Sequence, residues 1–154
     1  MPGVGTTFRV ILPASEPPAR STPPPRGLAT LSRRVLVVDD EIHHLRAMTR
    51  LLGRVALVTT ARTVDEALES LATGATYDLI LCDLNMPSRP GTDLHAWLVR
   101  ERPEMVPAFH LTTGGVYTDS AQKYLDTHEP QLMDKPLNTA QIMKLLGVEP
   151  GDFG

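Results

Sequence analysis

A single cysteine, Cys82, excludes an internal disulfide framework. Long apolar runs are absent too, and none approaches the roughly 18 residues a membrane-spanning helix needs. The first residues, MPGVGTTFRVILP, lack the basic region and apolar stretch of a secretory signal. These absences lead us to expect a cytoplasmic protein without membrane contact. Basic clusters are also missing. Residues 1–34 hold five arginines and one glutamate, a balance of +4, while residues 35–154 hold ten basic and seventeen acidic residues, a balance of −7. So sparse a basic start does not suit DNA or anionic lipid, and an acidic remainder argues against nucleic acid as a partner. There are no internal repeats. What is present is 154 residues, 42% hydrophobic and 21% charged, enough for one ordinary domain plus a tail.

The chain divides by composition. Residues 1–13 form a small apolar island in which Phe8, Val10 and Leu12 give a weak strand signal. Six prolines crowd residues 13–33. Proline cannot donate to a sheet ladder and disfavours helix in the residue before it, so 14–33 reads as a semi-extended linker. From Arg34 the pattern alternates. Apolar runs at 35–38, 55–60, 79–83, 106–113 and 131–134 read as strands. Between them lie helical repeats: Leu45, Met48, Leu51 and Leu52; then Val64, Ala67, Leu68 and Leu71; then Leu94, Trp97 and Leu98. A weaker helix spans about 118–125, and a last one, 139–146, is expected to face inward through Ile142, Leu145 and Leu146. Thr63, with Glu66 three residues on, reads as a capping box. Five strands and five helices in strict alternation imply an α/β fold, a doubly wound parallel sheet covered on both faces. Right-handed crossovers then bring every strand's carboxyl end to one edge.

Chemistry collects at that edge. The first strand ends in Asp39 and Asp40, the third in Asp83, the fifth in Lys135. The fourth ends in Thr112 and Thr113, followed by Gly114 and Gly115. Carboxylates converging on one place repel one another unless a cation is present. Oxygen donors without a His or Cys pattern suit Mg²⁺ better than Zn²⁺. A lysine and a threonine hydroxyl beside such a cation are suited to a phosphoryl group, and a carboxylate can attack phosphorus to give an acyl phosphate. Cys82 should point away from this place, because neighbours on a strand alternate faces.

VLVVDDE (35–41), DLILCDLNMPSRPG (78–91), LTTGG (111–115) and LMDKP (132–136) together resemble a response-regulator receiver domain over residues 34–147. The resemblance implies the flavodoxin-like (βα)5 fold, with Asp83 as phosphoacceptor. It implies that Asp39, Asp40 and Asp83 hold Mg²⁺, one of the acidic pair directly and the other partly through water, with Asn85 adding its backbone carbonyl. Lys135 would pair with the acceptor and then with the phosphoryl group, before a cis bond to Pro136. Thr113 is the expected switch hydroxyl, because a small residue follows it, with Thr112 in reserve. Many receivers carry an aromatic residue three before the lysine; Leu132 stands there, which removes the usual partner of the threonine. The implied partner is a histidine kinase or a histidine phosphotransfer domain. The doublet His43-His44 is expected at a partner-facing surface of the first helix. Such a domain catalyses its own phosphorylation and dephosphorylation without being a turnover enzyme.

Two other readings compete. Phosphatases of the haloacid dehalogenase type also join Asp, Thr, Lys and Mg²⁺ on an α/β sheet, but they resemble Asp-x-Asp at the first strand's end, where this chain has Asp39-Asp40-Glu41. A receiver that no longer takes phosphate would lack some of these residues. The pattern Gly3-x-Gly5-Thr6-x-Phe8 followed by Leu12-Pro13 resembles the end of a histidine-kinase ATP-binding domain. Residues 148–154 then read as a tail. On that reading the chain is the terminal receiver of a hybrid sensor kinase, with a stand-alone response regulator as the alternative.

Overall fold

The computed structural model describes residues 33–149; the expectations placed on residues 1–32 and 150–154 lie outside the described residues. Five strands form one parallel sheet: β1 (Arg34–Val38), β2 (Leu57–Ala61), β3 (Leu79–Asp83), β4 (Phe109–Thr113) and β5 (Leu132–Asp134). The helices between them are α1 (Ile42–Leu52), α2 (Val64–Ala72), α3 (Gly91–Glu101), α4 (Asp119–His128) and α5 (Thr139–Leu146). Strand order is β2-β1-β3-β4-β5, every pair parallel. This is the doubly wound fold expected from the alternation.

The sheet separates two apolar layers. Alternate residues of β1 and β3, namely Val35, Val37, Leu79 and Leu81, pack with Leu45, Met48 and Leu52 of α1 and Ile142, Met143 and Leu146 of α5. The intervening Leu36, Val38, Ile80 and Cys82 pack with α2, α3 and α4. Within β1 and β3, residues Val35–Val38 and Leu79–Cys82 are therefore all apolar and buried, whereas the edge strand β2 exposes Leu57 and Thr60. Because burial on both faces needs no alternation, β1 and β3 appear in the sequence as unbroken apolar runs.

Several boundaries differ from the sequence reading. Val55 and Ala56 belong to a turn, their amides donating to the Leu52 carbonyl (2.9 Å each), and β2 starts only at Leu57. Both side chains are buried, and a buried turn looks like a strand to a hydrophobicity pattern. Residues Pro103–Ala108 form a 3-10 helix, so β4 begins at Phe109. In α5 the buried residues are Ile142, Met143 and Leu146, while Leu145 is 42% exposed. Half of the capping box is made: the Thr63 hydroxyl accepts the Glu66 amide at 3.1 Å, but the Glu66 carboxylate accepts the Arg62 amide.

One polar cluster sits inside the α3–α4 layer. His95 of α3 is buried, and its Nδ1 lies 2.7 Å from the Tyr124 hydroxyl of α4. Tyr124 stacks in turn on His128. Burial, and then the charge of His128, lowers the pKa of His95 from the ordinary 6.5. Burial likewise lowers that of His110 on β4. An unfolded chain takes up these protons near pH 6.5, while the folded chain resists them until lower pH. Stability is therefore full above the unfolded value and falls as the pH drops from 6.5 toward the lowered folded values. We expect the Tm to fall between about pH 7.5 and about pH 5.5, and to fall less in His95→Gln. Equal losses in variant and wild type would remove His95 from this account.

Candidate functional site

The chain leaves β1 toward β2 on one side and passes from β3 to β4 and β5 on the other. A crevice opens beyond the carboxyl ends of β1 and β3, at the point where the direction of winding reverses. Asp39 and Asp40 follow β1 directly, and Asp83 ends β3. One carboxylate oxygen from each of Asp39, Asp40 and Asp83 falls within 4.8 Å of the others. Lys135, following β5, reaches across. Its Nζ donates to Asp83 Oδ2 at 2.8 Å and to Asp39 Oδ2 at 3.2 Å. The Lys135–Pro136 bond is cis.

The three carboxylates sit in different surroundings. Asp39 is buried, and its Oδ1 accepts the Glu41 amide at 2.9 Å. Its Oδ2 contacts both Lys135 and His44 Nδ1. Burial opposes the charge on Asp39, but the Glu41 amide, His44 and Lys135 together outweigh it and hold its pKa below the carboxylate norm. Asp40 is exposed and has no partner among the described residues. Asp83 accepts the Asn85 amide at Oδ1, 3.0 Å away. Burial also weakens the Lys135 ammonium, yet the hydrogen bond and charge of Asp83, followed by the charge of Asp39, raise its pKa and keep it cationic.

Around the carboxylates the loops are tied down. The Asn85 side chain donates to the Val116 carbonyl at 2.9 Å, joining the loop after β3 to the loop after β4. The Leu84 amide donates to the Thr112 carbonyl and the Lys135 amide to the Thr113 carbonyl. Thr112 and Thr113 are both buried, and the Thr113 hydroxyl accepts the Gly115 amide at 3.0 Å. That bond uses an oxygen lone pair and leaves the hydroxyl hydrogen available. Leu132 is 42% exposed and paired with Leu111 across the ladder. Cys82 is fully buried in the opposite layer, and burial, then the Asp83 and Asp39 charges, raises its pKa.

His44 corrects the sequence reading. The doublet does lie on α1, and His43 is exposed as expected. His44 instead turns back onto Asp39, with its side chain only 23% exposed. The signal was its position in the first turn of α1, within reach of the residues that precede the helix. Polar character alone put it at the surface.

The donor set fits a hard divalent cation. It consists of oxygens, converges within a single span and includes one carboxylate, Asp40, not engaged elsewhere. Asp39 is held in place by its neighbours, so it presents a fixed negative charge.

The response regulator receiver domain model matches residues 35–147. The response regulator protein PilR of Pseudomonas aeruginosa is 30% identical over 115 residues, covering 74% of this chain and 25% of that protein. The aerobic respiration control sensor protein ArcB of Escherichia coli is 30% identical over 113 residues, covering 73% of this chain and 14% of that protein. This chain thus spans a quarter or less of either relative. A CheY-like receiver domain protein from Methanospirillum hungatei superposes with a TM-score of 0.63 at 23% identity, over 75% of this chain and 90% of that one.

Proposed function

Because this chain belongs to the response regulator receiver domain family, we propose that it takes a phosphoryl group from a partner's histidine onto Asp83 in a step that needs Mg²⁺. The observation that carries this reading is Lys135 Nζ, bonded at once to Asp83 Oδ2 and Asp39 Oδ2. A fixed ammonium that balances a carboxylate can shift its hydrogen bond to a phosphoryl oxygen once that carboxylate has bonded to phosphorus.

In this step an Asp83 oxygen attacks phosphorus as the phosphorus–nitrogen bond to the donor imidazole breaks, and the imidazole leaves with the bonding pair. Mg²⁺, when bound, supplies charge neutralisation to the phosphoryl oxygens. Asp40, Asp83 and the Asn85 carbonyl would hold it directly, with Asp39 acting from behind through water. Lys135 follows the charge from the carboxylate to the new phosphoryl group. Thr113 supplies its hydroxyl hydrogen to a phosphoryl oxygen. This draws the loop after β4 inward, against the tether from Asn85 to Val116. Phosphorylation thereby shifts a surface between two states. Leu132, in place of an aromatic residue, makes the loop itself the carrier of that change.

The domain layout is part of the same proposal: residues 34–147 are the receiver and 14–33 a linker from a preceding kinase-like segment. The matches to both a response regulator and a sensor protein are compatible with this layout.

The test is incubation of the purified chain with a small acyl-phosphate donor, followed by intact-mass measurement. One alkali-labile phosphoryl group is expected in the presence of Mg²⁺, and none after chelation. An unlabelled wild type overturns the reading, and steady turnover of a phosphomonoester would replace it with a phosphatase.

A further inference from the structure

Asp39 Oδ2 is a shared acceptor. Lys135 Nζ donates to it at 3.2 Å, and His44 Nδ1 contacts the same oxygen. Resting on the reading of Asp83 as phosphoacceptor, we infer that His44 is a positioning residue for Lys135. It keeps a donor on Asp39 Oδ2, and so frees Lys135 to follow the charge from Asp83 to the phosphoryl group.

The two bonds of the ammonium are unequal, 2.8 Å to Asp83 Oδ2 and 3.2 Å to Asp39 Oδ2. A phosphoryl group adds its oxygens beyond the Asp83 carboxylate, and an ammonium that follows them gives up the longer bond. The Asp39 side chain is only 3% exposed, so water has little access to replace the lost donor. A buried carboxylate oxygen left without a donor is costly. Oδ1 gives no relief, because the Glu41 amide already occupies it at 2.9 Å. His44 removes this cost by staying on Oδ2 when Lys135 leaves.

The start of α1 sets this up. Glu41 caps the helix and His44 lies in its first turn, so one junction supplies donors to both Asp39 oxygens. Against the burial that opposes its charge, Asp39 is kept ionised by the Glu41 amide and then His44, with Lys135 behind them. An ionised carboxylate only accepts, so Nδ1 carries the hydrogen. That is true of a neutral and of a charged ring, and no proton moves when Lys135 shifts. His44 therefore matters little while Lys135 is on Asp39 and more once it has gone.

The first test is a double-mutant cycle on the full chain without metal or phosphate. His44→Leu should lower the Tm by about 2 °C alone and by about 5 °C in a Lys135→Met background. A side chain that only packs loses the same in both, and equal losses overturn the inference. The second test is labelling by a small acyl-phosphate donor at saturating Mg²⁺, which decides the matter should Lys135→Met not fold. The rate should fall about tenfold in His44→Leu. His44→Asn places an amide N–H where Nδ1 stands and should restore the rate to within about threefold of the wild type. Mg²⁺ affinity, read by calorimetry, should stay within about threefold in both variants, because Asp40 and Asp83 are untouched. His44→Leu labelled as fast as the wild type, His44→Asn as slow as His44→Leu, or a loss of Mg²⁺ affinity that accounts for the slower labelling overturns the role of His44 and leaves the acceptor reading standing. An unlabelled wild type overturns both.

Discussion

Asp83→Asn is expected to fold and to accept no phosphoryl group from a small acyl-phosphate donor under conditions that label the wild type. The amide oxygen in the variant is a poor nucleophile, and no acyl phosphate can form on it. The fold should tolerate the change, since the side-chain carbonyl can still accept the Asn85 amide that now bonds Asp83 Oδ1 at 3.0 Å. Lys135 loses one carboxylate and keeps the other, Asp39 at 3.2 Å. A lost hydrogen bond to a charged group costs about 1.5–3 kcal/mol, partly offset by relief of repulsion among the clustered carboxylates. The Tm should therefore shift by only a few degrees, roughly 5 °C at most. Peptide mapping of the labelled wild type should place the modification between Leu79 and Pro90. A variant labelled as fully as the wild type would mean that another side chain is the acceptor.

The acceptor edge was legible because it combines two signals that are local in sequence. Leu79–Cys82 is an unbroken apolar run, and the acid that interrupts it must lie where the strand leaves the core. The same logic found Asp39, Asp40 and Lys135, and parallel topology then placed them at one edge without any knowledge of distances. What was not legible depends on direction within a turn or helix. Val55 and Ala56 are as apolar and as buried as strand residues, yet their amides close a turn onto Leu52. Met143 and Leu145 are similar in hydrophobicity and differ by two positions. Only the angle at which α5 settles on the sheet decides that the first is buried and the second exposed. His44 was misplaced because its partner is an acid five residues earlier, across a strand-to-helix junction whose geometry no spacing rule describes. The pair of buried His95 and half-buried Tyr124 lies 29 residues apart and was equally invisible.

Gly91 tests the junction on the other side of the acceptor. It opens α3 directly after the loop from β3, and its amide donates to the Leu84 carbonyl at 3.1 Å. A Cβ built there would lie 2.4 Å from the Asp83 carbonyl oxygen, 2.8 Å from Leu111 Cδ2 and 3.1 Å from Cys82 Sγ. The nearest of these atoms is backbone and cannot swing aside as a side-chain end does. Two of the three belong to β3, which is hydrogen-bonded to neighbours on both sides. Gly91→Ala must therefore push α3 outward or displace the end of β3 that carries the acceptor. Overpacking of this kind costs about 1–3 kcal/mol or more, and the backbone clash puts this site at the upper end. For a domain of this size that corresponds to a fall in Tm of roughly 10 °C. Labelling should fall with it even where the variant remains folded, because the displaced atoms include the main chain of Asp83. Gly114→Ala is the comparison: a Cβ there meets nothing within 4 Å, although Gly114 also borders the crevice. That variant should retain both its Tm and its labelling. If Gly91→Ala behaved the same way, α3 would have to be free to move away from the sheet without loss, and the close approach of helix and strand could not be what fixes Asp83 in place.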